Sequence, residues 1–239
     1  MPETLRGPTL TELLREALSS TEHGYDLLAP KFDATPFRTP DWLLDEVRRS
    51  LTPAAPFQRG LDLCCGTGVG LRVLGPLCTS AIVGIDRSRG MLAEARRRGL
   101  STMPGHTLQW VRGDALELPF RDAFDLIVTF GALGHIPRRH ERHLLDVVWH
   151  ALRRNGTFAC VTSGMPPLIS FRHLAARGFN AAMHVRNALH RPPFVMYYLT
   201  FLLPEVAEEL RRQGYRVEVR ALEGVAARHG LRLVVARRP

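Results

Sequence analysis

No two cysteines in this chain are spaced as CxxC, and none pairs with histidine at zinc-site spacing. The four thiols, Cys64, Cys65, Cys78 and Cys160, therefore carry no metal or redox signature. Long apolar runs are missing too. The longest in the C-terminal third, Phe194 to Leu203, is about half of what spans a bilayer. The opening residues, MPETLRGPTLTELLREAL, have no basic stretch leading into an apolar run, so no signal peptide is expected and a cytoplasmic location is. Lysine is nearly absent, Lys31 being the single one, and arginine dominates a net charge of +9. An arginine bias reflects genome composition as much as function, so it counts little toward nucleic-acid binding. It still favours anionic partners. Acidic residues are wholly missing between Asp146 and Glu205.

What is present fits a folded globular protein. The chain has 239 residues, 45% of them hydrophobic, enough for one α/β domain with a small cap. Leu10, Leu13, Leu14, Ala17 and Leu18 recur at helical spacing behind a Thr9/Glu12 capping box. A second helix is expected from Thr39, with Pro40 in its first turn, through Leu51. From there apolar strands alternate with helices. The strands are GLDLCC, AIVGID (81–86), TLQWVRGD (107–114), FDLIVTFG (124–131) and GTFACVTS (156–163). The helices are placed near 68–77, at MLAEARRRG closed by Gly99, and from about Pro137 to Arg154. This alternation implies a parallel sheet covered on both faces. Residues 164–203 interrupt it. A helix, PEVAEELRRQG, and the strands YRVEVRAL and LRLVVARR then close the sheet at one edge. The expected segments are 1–56 (helices and lid), 57–163 (core), 164–203 (cap) and 204–239 (closing elements).

The stretch DLCCGTGVG, residues 62–70, follows the first strand and opens a helix. Such a turn brings a ligand close to backbone N–H groups at a helix N-terminus. Gly66, Gly68 and Gly70 give GxGxG, whereas a dinucleotide fingerprint wants GxGxxG and a phosphate loop wants a following lysine. Asp86 ends the second strand twenty residues after Gly66, where a carboxylate can accept from two ribose hydroxyls. Asp114 ends the third strand, placed for the exocyclic amine of a base.

LDLCCGTGVG, VGIDRSRGML, VRGDALELPF and FDLIVTFGALGHI resemble, in order and spacing, the successive motifs of class I S-adenosylmethionine-dependent methyltransferases. The resemblance covers about residues 60–163 and implies a doubly wound, mostly parallel seven-stranded α/β sheet with an antiparallel edge strand and a helical cap. It implies S-adenosylmethionine as cofactor. Asp62, Gly66 and Gly68 would flank its methionine part, with Thr67 in the same loop. Asp86, followed by Arg87, would hold the ribose, Met91 would pack on the adenine, and Asp114 would meet its amino group. Ala115 and Phe130 would complete the walls. Cys64 and Cys65 read as small buried hydrophobes beside the loop.

The region after the fourth strand, TFGALGH, lacks the D/N-P-P-Y/F pattern of base-amino methyltransferases and the Pro-Cys nucleophile of cytosine-C5 enzymes. The carboxylates of metal-dependent catechol enzymes are missing, so no metal is expected. His135 is the candidate general base. Its alternative role is to pack on the cofactor or cap the next helix. His140, His143 and His150 are expected to be solvated. GYDLLAPKFD (24–33) resembles the YDxxAxxYD lid segment of many small-molecule methyltransferases, with Phe32 in place of the second tyrosine. Tyr25 is the candidate lid residue, and simple aromatic packing is its alternative.

The expected acceptor is a small, partly apolar molecule, methylated at O, N or C by in-line displacement. The acid-free insert 164–203 is read first as a cap over it; contact with an anionic membrane surface or a homodimer partner stays open. Three other functions stay open: RNA or protein methylation, although no nucleic-acid module is visible, an NAD(P)-dependent oxidoreductase, and a non-catalytic S-adenosylmethionine-binding protein.

Overall fold

The structure is a computed structural model, and it describes residues 7–9, 11, 12, 15, 18–98 and 105–239. Leu10, Leu13, Leu14 and Ala17 of the expected first helix, and Gly99, lie outside the described residues. The capping box is present: the Thr9 N–H donates to Glu12 Oε2 at 2.7 Å and the Glu12 N–H to Thr9 Oγ1 at 3.4 Å.

Seven strands form one sheet among the described residues: β1 (Phe57–Leu63), β2 (Cys78–Asp86), β3 (Thr107–Arg112), β4 (Phe124–Thr129), β5 (Leu152–Ser163), β6 (Arg216–Ala221) and β7 (Leu231–Arg237). Their order is β3-β2-β1-β4-β5-β7-β6. The first five run parallel, and β7 lies antiparallel between β5 and β6. The late hairpin thus closes one edge, as the sequence leads one to expect.

The helices are α1 (Thr21–Leu28), α2 (Asp41–Leu51), α3 (Leu71–Leu77), α4 (Arg89–Arg97), α5 (Glu141–Ala151), α6 (Phe171–Leu189), α7 (Glu205–Arg212) and α8 (Gly224–Arg228). The sheet is apolar on both faces because alternate side chains of a buried strand serve opposite cores. Leu61, Leu63, Val83, Ile85 and Ile127 pack with Leu144, Leu145 and Val148 of α5 and Leu210 of α7. Ile82, Leu126 and Val128 pack on the other side with Leu43, Leu44, Val47 and Leu51 of α2 and Leu71 and Leu74 of α3. The i, i+3/i+4 spacing in α2 and α5 makes each stripe.

One boundary differs with consequence. The helix expected from Pro137 starts at Glu141, because Arg138–His140 form a 3₁₀ turn. Its end is also earlier: Leu152 already belongs to β5. The strand order reverses direction at β1 and β4, so a crevice opens beyond their carboxyl ends, where ligands of such sheets bind.

Candidate functional site

A cavity of about 660 Å³ occupies that crevice, a volume typical of small-molecule sites. Gly66, Thr67, Asp86, Arg87, Met91, Asp114, Ala115 and Phe130 line it, together with Tyr25 and His135. Ten residues singled out by sequence pattern therefore meet at one place. Asp62 and Gly68 do not line it.

The loop after β1 is shaped by left-handed backbone at Cys64 (φ 58°), Gly66 (φ 52°) and Gly68 (φ 88°). Beneath it lies the buried carboxylate of Asp62. A Cβ on Gly70 would overlap that carboxylate, so the third glycine serves close approach at the start of α3. Asp62 Oδ2 is buried without a hydrogen-bond partner. Burial, with the Asp86 carboxylate nearby, pushes the Asp62 carboxyl up to about 8. The folded chain thus binds a proton at Asp62 that the unfolded chain releases near pH 4. Folding stability contributed by this group falls as pH rises from 4 to 8, by up to about 1.4 kcal/mol per pH unit. Thermal melts from pH 5 to 8.5 are expected to show this fall, and Asp62→Asn to flatten it. An unchanged slope in the variant would assign the fall to other groups.

Asp86 is held on both oxygens. Oδ2 accepts from the Gly66 N–H and Oδ1 from the Ser88 N–H, each at 2.8 Å. Burial raises this carboxyl above its ordinary range, and those two hydrogen bonds oppose the shift. Asp114 accepts from the Leu116 N–H at 2.9 Å, and its other oxygen lies 3.4 Å from the Arg87 guanidinium. Met91, Ala115 and Phe130 are buried walls. Burial drives the thiols of Cys64 and Cys65 upward, so both stay protonated. Among the described residues no three His, Cys, Asp or Glu side chains are grouped to hold a metal ion.

His135 sits in a 3₁₀ turn after β4. Its Nδ1 lies 2.6 Å from the Val195 carbonyl oxygen and its Nε2 2.7 Å from the Tyr25 hydroxyl. A carbonyl only accepts, so Nδ1 carries the hydrogen and Nε2 accepts from Tyr25. Burial pulls the imidazole below its usual pKa, and the Val195 contact opposes this. The histidine is thus the neutral member of a Tyr25–His135–Val195 chain in the cavity wall.

The segment that resembles a lid, residues 24–33, is tied down by two carboxylates that the expected site residues do not include. Asp26 Oδ1 accepts from Ser88 Oγ at 2.6 Å and from the Gly90 N–H at 2.7 Å, at the start of α4. Asp33 Oδ1 accepts from Thr67 Oγ1 at 2.7 Å, and its other oxygen pairs with Arg98. Each is the second letter of the YD and FD pairs in GYDLLAPKFD, which is the signal that marks them. Hydrogen bonds to a charged acceptor contribute about 1.5–3 kcal/mol each. Asp26→Ala is expected to lower the melting temperature and weaken cofactor binding about tenfold, with kcat little changed. Asp26→Asn should recover part of both. Calorimetric titration and melts check this.

His140 corrects an expectation. It lines the cavity instead of standing in solvent, because it precedes the helix in the 3₁₀ turn. His143 bonds the Leu116 carbonyl at 3.0 Å, and His150 is exposed. The insert 164–203 supplies Pro193, Val195, Met196 and Tyr198 to the cavity wall.

A glycine loop, a carboxylate at the end of β2 and another after β3 thus stand around one cavity at the switch point of an α/β fold. A family model described as a methyltransferase domain matches residues 61–156. The demethylmenaquinone methyltransferase of Staphylococcus aureus is 32% identical over 186 residues, which cover 72% of this chain and 74% of that protein. The protein of the same name from Oceanobacillus iheyensis is 28% identical over 138 residues, so the match spans 56%, little more than half, of that relative. Among solved structures, a DhpI–SAM–HEP complex superposes with a TM-score of 0.66 at 19% identity, covering 97% of this chain and 100% of that one. That likeness is one of fold. The chain belongs to the class I S-adenosylmethionine-dependent methyltransferases, and S-adenosylmethionine is its cofactor.

Proposed function

We propose that the chain methylates a small, largely apolar acceptor that carries an acidic hydroxyl, such as a phenol or quinol, at that oxygen or at a ring carbon it activates. The cofactor fits the residues present. The loop at Gly66 leaves open space where a side chain would stand, and the buried Asp62 Oδ2 beneath it has no partner. Asp86 would take the ribose, Asp114 the adenine amine, and Met91, Ala115 and Phe130 the faces of the base. When bound, S-adenosylmethionine supplies an electrophilic methyl group on a sulfonium.

The observation that carries the acceptor reading is the Tyr25–His135 pair in an otherwise apolar wall. Phe32, Phe37, Ile136, Val195 and Met196 surround it. The acceptor's hydroxyl would pass its proton to Tyr25 Oη while Tyr25 passes its own to His135 Nε2. The acceptor oxygen is left anionic and nucleophilic, and Tyr25 is regenerated. The remaining work is alignment and exclusion of water, which the lid and the insert provide. No metal enters this scheme. The named relatives act, by their names, on a demethylated menaquinone, which is consistent with such an acceptor.

Incubation with methyl-labelled S-adenosylmethionine tests this. Label is expected in hydrophobic phenols or quinols, and absent from RNA and from peptide. Label in RNA or peptide alone would overturn the acceptor class.

A further inference from the structure

We infer that the outer face of α6, together with the loop ahead of it, docks on an anionic lipid bilayer. A helix on a water-soluble body normally turns its apolar stripe inward. Helix α6 does the reverse. Phe171, Leu174, Val185 and Leu189 fall within about 60° of arc at 100° per residue, and all four are exposed. The positions that widen this face to about 140° are Ala175, Gly178, Ala181, Ala182 and Ala188, also exposed. The opposite side is polar and faces the protein. His173 is buried there, Asn180 bonds the backbone of Tyr198, and Asn187 bonds the backbone of Phe194.

The preceding loop extends the same surface. Ile169 is 93% exposed, Phe171 85% and Leu189 83%. Leu168 stands out as well. A monomer in water gains nothing from presenting such side chains together. Exposed Arg172, Arg177 and Arg191 flank them, and no acidic residue occurs between Asp146 and Glu205. An exposed apolar face fringed by arginine and free of carboxylates matches a surface that is apolar below and anionic above. A second copy of the chain matches it poorly. A two-fold contact would set the same arginines against each other with no carboxylate from this segment between them. The insert also lends Pro193, Val195, Met196 and Tyr198 to the cavity, so the docked chain would hold its site beside the lipid. Docking does not depend on which acceptor is methylated.

Vesicle flotation of the full chain tests the assignment. One set of vesicles is phosphatidylcholine; the other contains about 30 mol% phosphatidylglycerol. The chain is expected to float with the anionic set at least about tenfold more than with the neutral set, and less as salt rises from about 0.05 to 0.5 M. Changing Ile169→Ser, Phe171→Ser and Leu174→Ser together should abolish flotation and leave thermal stabilisation by S-adenosylmethionine intact. Arg172→Gln with Arg177→Gln should remove the anionic preference. Failure of the wild-type chain to float, or equal flotation of the triple variant, would overturn the inference. So would a wild-type dimer in sedimentation that the triple variant converts to monomer without any vesicle binding.

Discussion

Replacing His135 by alanine is expected to lower kcat by about 10²–10⁴-fold while leaving the affinity for S-adenosylmethionine within a few-fold. The reason is geometric. Nε2 is the one basic atom in the pair, and it sits 2.7 Å from the Tyr25 hydroxyl that faces the cavity. Tyr25→Phe removes the oxygen through which the proton moves in the proposed relay, so it should fall in the same range. In the proposed scheme the two changes act on one relay. The double variant should therefore be little worse than either single one, and their effects should not add. The pH profile gives a second readout. The base works only when neutral, and burial holds His135 below its ordinary pKa. Wild-type turnover should rise with pH through that lowered value and be flat from neutrality upward. In the Tyr25→Phe variant Nε2 is left without its donor, so melts must accompany the kinetics to separate lost chemistry from lost stability. Undiminished turnover in folded His135→Ala would remove the relay from the mechanism.

The second large effect is expected at Asp86. Its carboxylate shapes the loop through the Gly66 and Ser88 N–H groups, and in the proposed site its remaining lone pairs would take the cofactor's ribose. Asp86→Ala should weaken S-adenosylmethionine binding by about 10²–10³-fold, as two charge-assisted hydrogen bonds are lost. Thermal stabilisation reads this directly. A concentration of 100 times the wild-type Kd adds about 2.7 kcal/mol to the wild-type chain. After a hundredfold loss of affinity the same concentration adds only about 0.4 kcal/mol. Wild-type stabilisation in a folded Asp86→Ala chain would show that the cofactor is held elsewhere.

The middle of the sheet was legible because β1, β2, β4 and β5 are buried on both faces over much of their length and so appear as short apolar runs. The cofactor side was legible for a related reason. Asp86 ends its strand, Gly66 and Asp114 stand just past theirs, and parallel strands bring their ends to one edge. Other features depend on contacts that no local spacing encodes. Tyr25 and His135 are 110 residues apart, and Asp26 reaches Ser88 across 62. His140 was misplaced because helical periodicity does not mark where a 3₁₀ turn gives way to an α-helix. The stripe on α6 can be read from its spacing, but not the side on which the body of the protein lies. That depends on Asn180 and Asn187 finding backbone partners in the segment that returns after the helix, 18 and 7 residues on.

The two aspartates of the lid are seven residues apart and grip different walls of the cavity, Asp26 at the start of α4 and Asp33 at the glycine loop. A strap fastened at two points does not peel away from one end. Freeing either point leaves the segment anchored by the other. Where lid opening paces an enzyme's cycle, as it does in many, a segment held this way would swing clear only when both carboxylates let go.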